Sequence, residues 1–592
     1  MKNSKAAIDR IFVSGSGQTV VSSSLFSRLS DKLTDLGRIA ANTGSFAWGL
    51  FLMTFGLVTL FSFFTKYYVS AEEIEVLYPL IAGILSTILS IPFLLSRESV
   101  HIAFQKSPVC DAFLFDFLCL QRRHIPAGTP KLSVVFMMIL GGGLAVVGFF
   151  TSPMYVLLAI AAVLLLGASI DSPEAPFILS LVAFPYLHFT AHPSLILAVL
   201  ILLSFFSYVH KARLGNRLFS LDFGDYVLFL FALCLLLSGI FNGGLNSFLS
   251  SLLFVSMLIG CILAKNLLIN RRLADLAIGS ISVASFPICI LGITQYFVGV
   301  PMGNWLDSAF SETITTRVYA SFGNPNVFAV YLLTAAFCSL ALVVEKRENL
   351  IRILFALVFA ANVVALTLTF SRGAWVAFLV GFIASTVIWF RRRPGHLLVI
   401  LSLLPYGIFF LSEAVLTRFA SILNFSDSSV VYRLSIWRSS VNLFLDNLFV
   451  GIGIGESNFT EVFKAYAEEG VTAPHSHNLL LEIGCECGVF ALAIFLLLLI
   501  ERAVSLSRKK PVLGLSGVRK VSLFSHAGIC ALLIFGLFDY TFADMGMIYL
   551  FFVLFGIGGA TLRIADTEQE SRRAYLEEGQ DTNSSDIDVT LK

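Results

Sequence analysis

Apolar residues along this chain fall into long unbroken runs, not into the alternation of a half-buried strand or the single stripe of a soluble helix. The runs occupy 45–63, 77–96, 133–150, 153–169, 175–190, 193–209, 225–243, 248–265, 276–297, 325–344, 351–370, 373–390, 396–412, 478–500, 523–540 and 545–562. At roughly 17–25 residues, such runs can cross a hydrocarbon core about 30 Å thick as helices. Backbone inside lipid must also satisfy its own hydrogen bonds, which a helix does. The pattern therefore predicts an all-α polytopic membrane protein with about 14–16 transmembrane helices, the short pair between 153 and 190 being fewer or re-entrant. DAFLFDFLCL, Asp111 to Leu120, is too short to span and carries two aspartates, so it reads as an interfacial helix.

The polar breaks between runs set the sidedness. Basic clusters at Gln121–Lys131, His210–Arg217, Asn270–Leu273, Glu345–Asn349, Phe390–Pro394 and Ser507–Lys510 all fall on one side of a sixteen-span arrangement, together with both termini. The positive-inside rule makes that side cytoplasmic. The other face then receives the segment from Gly299 to Pro325, the junction at Ser371 and Arg372, and a long loop at 413–477. A connection of that length carries structure of its own, and SSVVYRLSIWRSSVNLFLDNLF, Ser428 to Phe449, reads as an amphipathic helix within it. The organisation expected is a cytoplasmic segment 1–44, an N-terminal multispan region 45–275, a second membrane region 276–562 containing the 413–477 loop, and an acidic disordered cytoplasmic tail 563–592. No cleavable leader is expected, because the first forty-odd residues are mostly polar.

Composition agrees with the pattern. Hydrophobic residues make up 57% of the chain and charged residues 13%, about half the share found in soluble domains. A formal net charge of +2 gives no basis for a nucleic-acid partner. Cys234, Cys261, Cys289, Cys338 and Cys530 lie inside apolar runs and read as small core residues. Cys485 and Cys487 flank Glu486, but two thiols one residue apart lack the further ligands of a zinc site.

Candidate chemistry gathers on the outer face. Arg372, in LTLTFSRGAWVAF, stands at a span end, where it either snorkels to lipid phosphates or clamps an anion facing the bundle. YRLSIWRSS supplies Arg433 and Arg438, and guanidinium pairs suit the oxygens of a diphosphate. GIGIGESNF, Gly451 to Phe459, permits close backbone approach but lacks the lysine and helix of a nucleotide loop. PHSHNLLLEIGCECG then places His475 and His477 before a span, and histidine exchanges a proton near neutral pH. Two histidines two apart do not share a helical face, so one of them, His477 beside Asn478, is expected to enter a given cavity. Glu482 and Glu486 lie four apart within the span, where a carboxylate needs a partner, and either is a candidate to orient a histidine or neutralise an arginine.

These segments, in this order, resemble the O-antigen ligase and polymerase superfamily of bacterial membrane glycosyltransferases. The family's histidine pattern corresponds to His477, Asn478, Gly488 and Ala491, with Ala491 departing from the usual residue. SRGAW at Ser371–Trp375, YRLSIW at Tyr432–Trp437, FGNPNVFAVYL at Phe322–Leu332 and QYFVGVPMGNWLD at Gln295–Asp307 resemble further family segments, and the likeness covers roughly residues 280–562. The resemblance implies a GT-C-like architecture and a metal-independent glycosyltransferase without a cofactor. It implies a glycan donor on an undecaprenyl-diphosphate carrier, a glycan, lipid or protein hydroxyl as acceptor, and polysaccharide assembly proteins as possible partners. By the same resemblance Arg372 and Arg433 bind the diphosphate and His477 activates the acceptor hydroxyl, with Arg438, His475, Asn478 and Glu486 as further substrate contacts. A polymerase of surface-polysaccharide repeat units is preferred and a ligase comes second, because no fused domain for a protein acceptor is evident. A transporter is the rival class, disfavoured because no internal repeat is seen and the charged residues gather in one outer loop.

Overall fold

The structure is a computed structural model that describes residues 25–69, 77–122, 125, 128–242, 244–300, 316–345, 348–390, 394–403, 413–423, 428–514 and 516–588. Parts of several sequence readings lie outside these residues. They are the polar segment before residue 25, most of Gln295–Asp307, the end of the 396–412 run, and parts of the basic clusters at 121–131, 345–349 and 390–394. Among the described residues all regular structure is helical, and twelve helices are long and apolar enough to cross a membrane. The runs at 77–96, 133–150 and 175–190 form shorter apolar helices. The Asp111–Leu120 piece is helical too, as the last residue of Pro108–Asp111 and a π-helical turn Ala112–Phe117.

Contacts divide the chain into two units, one of residues 1–179 and 203–218, the other of 180–202 and 219–592. In the first unit, α1 (Leu25–Asn42) leads into α2 (Ser45–Val69), which packs on α3 (Leu77–Leu94) and α4 (Val134–Phe150). Ala47 and Phe51 of α2 meet Met137 of α4 in a small apolar core, and Phe55 meets Ala145 and Val156 in another.

The second unit contains the helices that carry the polar loop. In chain order they are α5 (Phe223–Phe241), α6 (Gly244–Leu267), α7 (Arg271–Val298), α8 (Pro325–Glu345), α9 (Asn349–Leu368), α10 (Arg372–Phe390), α11 (Glu413–Ala420), α12 (Ser428–Asp446), α13 (Glu456–Phe463), α14 (Leu479–Leu513), α15 (Arg519–Gly536) and α16 (Met545–Asp588). With no hydrophobic drive between helices inside lipid, small residues decide which pairs approach closely. α6 meets α16 through Gly260 and Gly556, where an added Cβ would fall 2.6 Å from the Tyr549 ring and 2.4 Å from the Cys261 carbonyl oxygen. Beyond residue 563, α16 has a helical extension to Asp588. The first turns of that extension are tied down by an ion pair between Lys509 and Asp566 and by Glu568 accepting from the Gly517 N–H at 3.0 Å.

The 413–477 loop has its own core. Ile436 and Leu443 of α12, Ile452, Phe459 and Phe463 of α13, Ala473 and the Cys485 side chain from α14 are buried together. That core is joined to the membrane helix through a break at Gly488, whose φ of 81° and ψ of 177° interrupt α14. The carbonyls freed by the break do not go unpaired. Cys485 O accepts from Ile452 N at 2.9 Å, and Glu486 O accepts from Gly453 N at 3.0 Å and from Ser238 Oγ at 2.5 Å, while Val489 N donates to Leu448 O at 2.7 Å. This is how an irregular backbone survives at membrane depth. A side chain at Gly488 would lie 2.3 Å from Phe449 O in a left-handed backbone region. Gly488→Ala is expected to cost roughly 2–5 kcal/mol through strain and overpacking, read as a lower thermal midpoint and a smaller monodisperse peak by size-exclusion chromatography.

Candidate active site

His477 sits just ahead of α14, not on it. Asn478 caps the helix, its Oδ1 accepting from Leu480 N and Leu481 N at 3.1 Å each, while its Nδ2 donates to Leu537 O at 3.1 Å. Helical phase therefore does not govern the histidines. His477 takes a left-handed φ of 52°, and the rings of His475 and His477 come to 4.3 Å between centroids. The expectation that only one of them enters the cavity is corrected: both face the same place, because the chain between them is turned and not helical. The His477 N–H donates to His475 Nδ1 at 3.3 Å, and His477 O accepts from Trp437 Nε1 of α12 at 3.2 Å.

The partner of His477 is Asp539, in the short turn between α15 and α16. His477 Nδ1 lies 2.8 Å from Asp539 Oδ1. An ionised carboxylate only accepts, so Nδ1 carries the hydrogen and Nε2 is left as the basic atom. The second oxygen, Oδ2, accepts from Asn326 Nδ2 at 2.6 Å and lies 3.6 Å from an Arg433 guanidinium nitrogen. Burial works against charge on Asp539, but His477, Arg433 and His475 together hold its carboxyl far below the ordinary carboxylate range.

Arg433 belongs to a larger cationic cluster. Arg317 donates from Nε to Thr369 O at 2.9 Å and from a terminal nitrogen to Asn326 Oδ1 at 3.2 Å, so it touches the same asparagine that holds Asp539. Burial first, then the guanidinium groups of Arg418, Arg433 and Arg372, pull Arg317 down to about 9. Arg372, at the start of α10, donates to Ser421 O at 3.1 Å and to Ser421 Oγ at 3.3 Å. Among the described residues, the guanidinium groups of Arg418, Arg433 and Arg372 all lie within electrostatic reach of Arg317, and Arg433 shares Asp539, an arrangement suited to an anion of several charges.

The remaining sequence candidates lie elsewhere. Arg438 is exposed and pairs with Glu468 at 3.3 Å. Glu486 is buried, its Oε1 accepting from Gly455 N at 2.8 Å, and Glu482 accepts from Ser476 N at 2.5 Å. Among the described contacts these two glutamates brace the backbone around Gly455 and Ser476, and orienting His477 falls to Asp539. Sequence reasoning missed Asp539, Asn326, Arg317 and Arg418. The usable signal for Asp539 was a pair of aspartates, Asp539 and Asp544, in FDYTFAD at a span end.

His475, His477 and Asp539 each offer a ligand atom, all within 4.8 Å of one another, and could in principle hold a metal ion. The surrounding guanidinium groups make the same spot hostile to a dication and favourable to a phosphate. Beside the cluster, Trp437, Val441, Phe444, Leu480 and Leu481 line an apolar cavity of about 330 Å³ that Asn478 also borders.

Residues 354–496 match the family model for O-antigen ligase. The segment is similar to the O-antigen ligase family. It contains Arg372, Arg433 and His477, whereas Arg317, Asn326 and Asp539 lie outside the matched residues. The O-antigen ligase family consists of glycosyltransferase-like enzymes of the membrane, in keeping with the twelve candidate spans. No curated protein matches the chain.

Burial, and next the neighbouring His477, push the His475 imidazole down to about 4. Its folded value is depressed, so between about pH 6.5 and 4 the unfolded chain binds a proton that the folded chain refuses. Stability from His475 is complete above that window and is lost as pH falls through it. Thermal midpoints of the detergent-solubilised protein are expected to drop from pH 7 to pH 4.5, and His475→Gln should drop less. Parallel curves would sink the assignment.

Proposed function

We propose that the protein extends surface-polysaccharide chains, transferring glycan repeat units from an undecaprenyl-diphosphate carrier at the outer face of the cytoplasmic membrane, with both termini in the cytoplasm. The observation that carries this reading is the single carboxylate of Asp539, shared between the Nδ1 of His477 and the guanidinium of Arg433. It joins a proton acceptor to a cationic anion site within one residue's reach.

In this reading the acceptor hydroxyl approaches His477 Nε2 and gives up its proton there as its oxygen attacks the anomeric carbon of the donor. The bond from that carbon to the diphosphate breaks, and the departing oxygens accumulate negative charge opposite Arg372, Arg433 and Arg317. A single displacement inverts the anomeric centre. His477 becomes doubly protonated, and the Asp539 carboxylate stabilises that cation without taking the proton. The apolar cavity beside Trp437 and Phe444 suits the isoprenoid chain next to the diphosphate. No step requires a metal.

Ligation is the second reading, favoured by the family model itself, with transfer to a lipid or protein hydroxyl. The experiment is reconstitution of the full-length protein with a polyprenyl-diphosphate glycan, products being resolved by length and attachment. A ladder of carrier-linked glycans is expected. A single transfer to another lipid or to protein would replace polymerisation by ligation, and glycan carried across the bilayer unchanged would end the enzyme reading. In the same assay Arg372→Ala should raise the donor KM about 10- to 100-fold, the equivalent of one charge-assisted contact.

A further inference from the structure

The turn that carries Asp539 has a second anchored carboxylate, Asp544, at its other end. Asp544 stands just before α16, and its Oδ1 accepts from Gly546 N at 2.8 Å and from Met547 N at 3.3 Å, as a helix cap does. Its Oδ2 lies 3.2 Å from Nε2 of His188, in the turn that follows the helix Glu174–Leu187. An ionised carboxylate only accepts, so Nε2 carries the hydrogen. Nδ1 of His188 is buried and has no hydrogen-bond partner among the described residues, so Asp544 alone orients the polar edge of this imidazole. The His188 side chain is 10% exposed, and its ring centroid lies 4.4 Å from that of Phe322 and 5.4 Å from that of Phe184.

The residues around His188 hold two segments at once. Phe184 fills the space beside Gly546 in the first turn of α16, where an added Cβ would fall 1.7 Å from the Phe184 ring. Pro185 O accepts from Ser321 Oγ at 2.7 Å, next to the Phe322 that packs on His188. Both segments lead straight to the candidate active site. Phe322 runs on into Asn326, whose Nδ2 donates to Asp539 Oδ2 at 2.6 Å, and Asp544 closes the short turn that Asp539 opens. We propose that His188 and Asp544 are positioning residues for glycan transfer, clamping the Asp539 turn and the Asn326 segment together so that the carboxylate meets His477 Nδ1. The inference rests on the reading of His477 and Asp539 as the transfer pair. A misplacement of about 1 Å at a reacting group can cost on the order of 10²-fold in rate, so a clamp of this kind bears directly on turnover. His188, Phe322 and Asp544 all lie outside residues 354–496, and His188 gives the N-terminal multispan region a part in the chemistry.

The test measures turnover per folded molecule in the full-length protein reconstituted with a polyprenyl-diphosphate glycan. His188→Phe keeps the ring packing and removes the N–H, and it is expected to lose about 10- to 100-fold in turnover. His188→Gln returns an N–H near the place of Nε2 and should recover most of that loss. In an Asp539→Asn background, His188→Phe should cost less than about threefold more, because the group it positions is already disabled. A double variant in which the two losses multiply in full would make His188 a general support of the fold and overturn the inference. Should His188→Phe fail to fold, Asp544→Asn, which keeps a capping side chain on α16, carries the same comparison with the same outcomes. Full turnover in Asp539→Asn would overturn the transfer reading and this inference with it. Full turnover in His188→Phe beside a weakened Asp539→Asn would overturn this inference alone.

Discussion

A His477→Ala protein is expected to bind donor and fold as the wild type does while losing about 10²- to 10⁴-fold in turnover, the usual worth of a positioned general base. The geometry supports a specific form of this loss. Nδ1 is committed to Asp539, so the proposed catalysis would depend on Nε2 alone, and the main chain of His477 is independently fixed by Trp437 and His475. The left-handed φ of 52° adds a second arm, because glycine tolerates that backbone without strain. His477→Gly should therefore keep the turn and leave a ring-sized space, and added imidazole should recover part of the turnover lost. A His477→Ala enzyme that turned over at the wild-type rate would remove the base from His477.

Asp539→Asn is the second large effect. Its carboxylate is almost fully buried and serves His477, Asn326 and Arg433 at once. An amide keeps the shape but not the charge, and it can no longer stabilise the imidazolium formed during transfer. Turnover is expected to fall on the order of 10²- to 10³-fold, since orientation and electrostatic support of the base are lost together. Removing one partner of a buried charge pair typically costs about 3–5 kcal/mol, so the thermal midpoint should fall as well. A purely structural role would predict that loss of stability alone. The separating measurement is turnover of folded protein well below its melting point, with Asp539→Glu included. Partial recovery by glutamate and none by asparagine is expected, and full activity in the folded asparagine variant would exclude Asp539 as the positioning residue.

The sequence made the helical membrane architecture readable because long apolar runs have few other physical solutions. Arg372, Arg433 and His477 were readable because each sits in a short segment whose residue types suggest anion binding or proton exchange. Asp539 was not, since it lies 62 residues beyond His477 and only the packing of the α15–α16 turn brings it within 2.8 Å. Glu482 and Glu486 attracted attention for being near His477 in sequence. Their actual tasks, bracing Ser476 and Gly455, arise from a break in α14 that an apolar run does not announce. The pair of histidines was misjudged for a related reason. Spacing rules for a helix were applied to residues that precede it.

Burial first, and then the crowding of guanidinium groups, pulls Arg317 down to about 9, and that crowding also bears on the order of events in the proposed catalytic cycle. In the empty protein those charges oppose one another, and an arriving diphosphate relieves the opposition. When the glycosidic bond breaks, the carrier's terminal phosphate gains another ionisable oxygen, so the spent carrier is more negative than the donor. A site built this way retains its by-product more firmly than its substrate. Under the proposed reaction, the step that paces continued chain growth is then the departure of the discharged lipid carrier, and accumulated carrier acts as the brake.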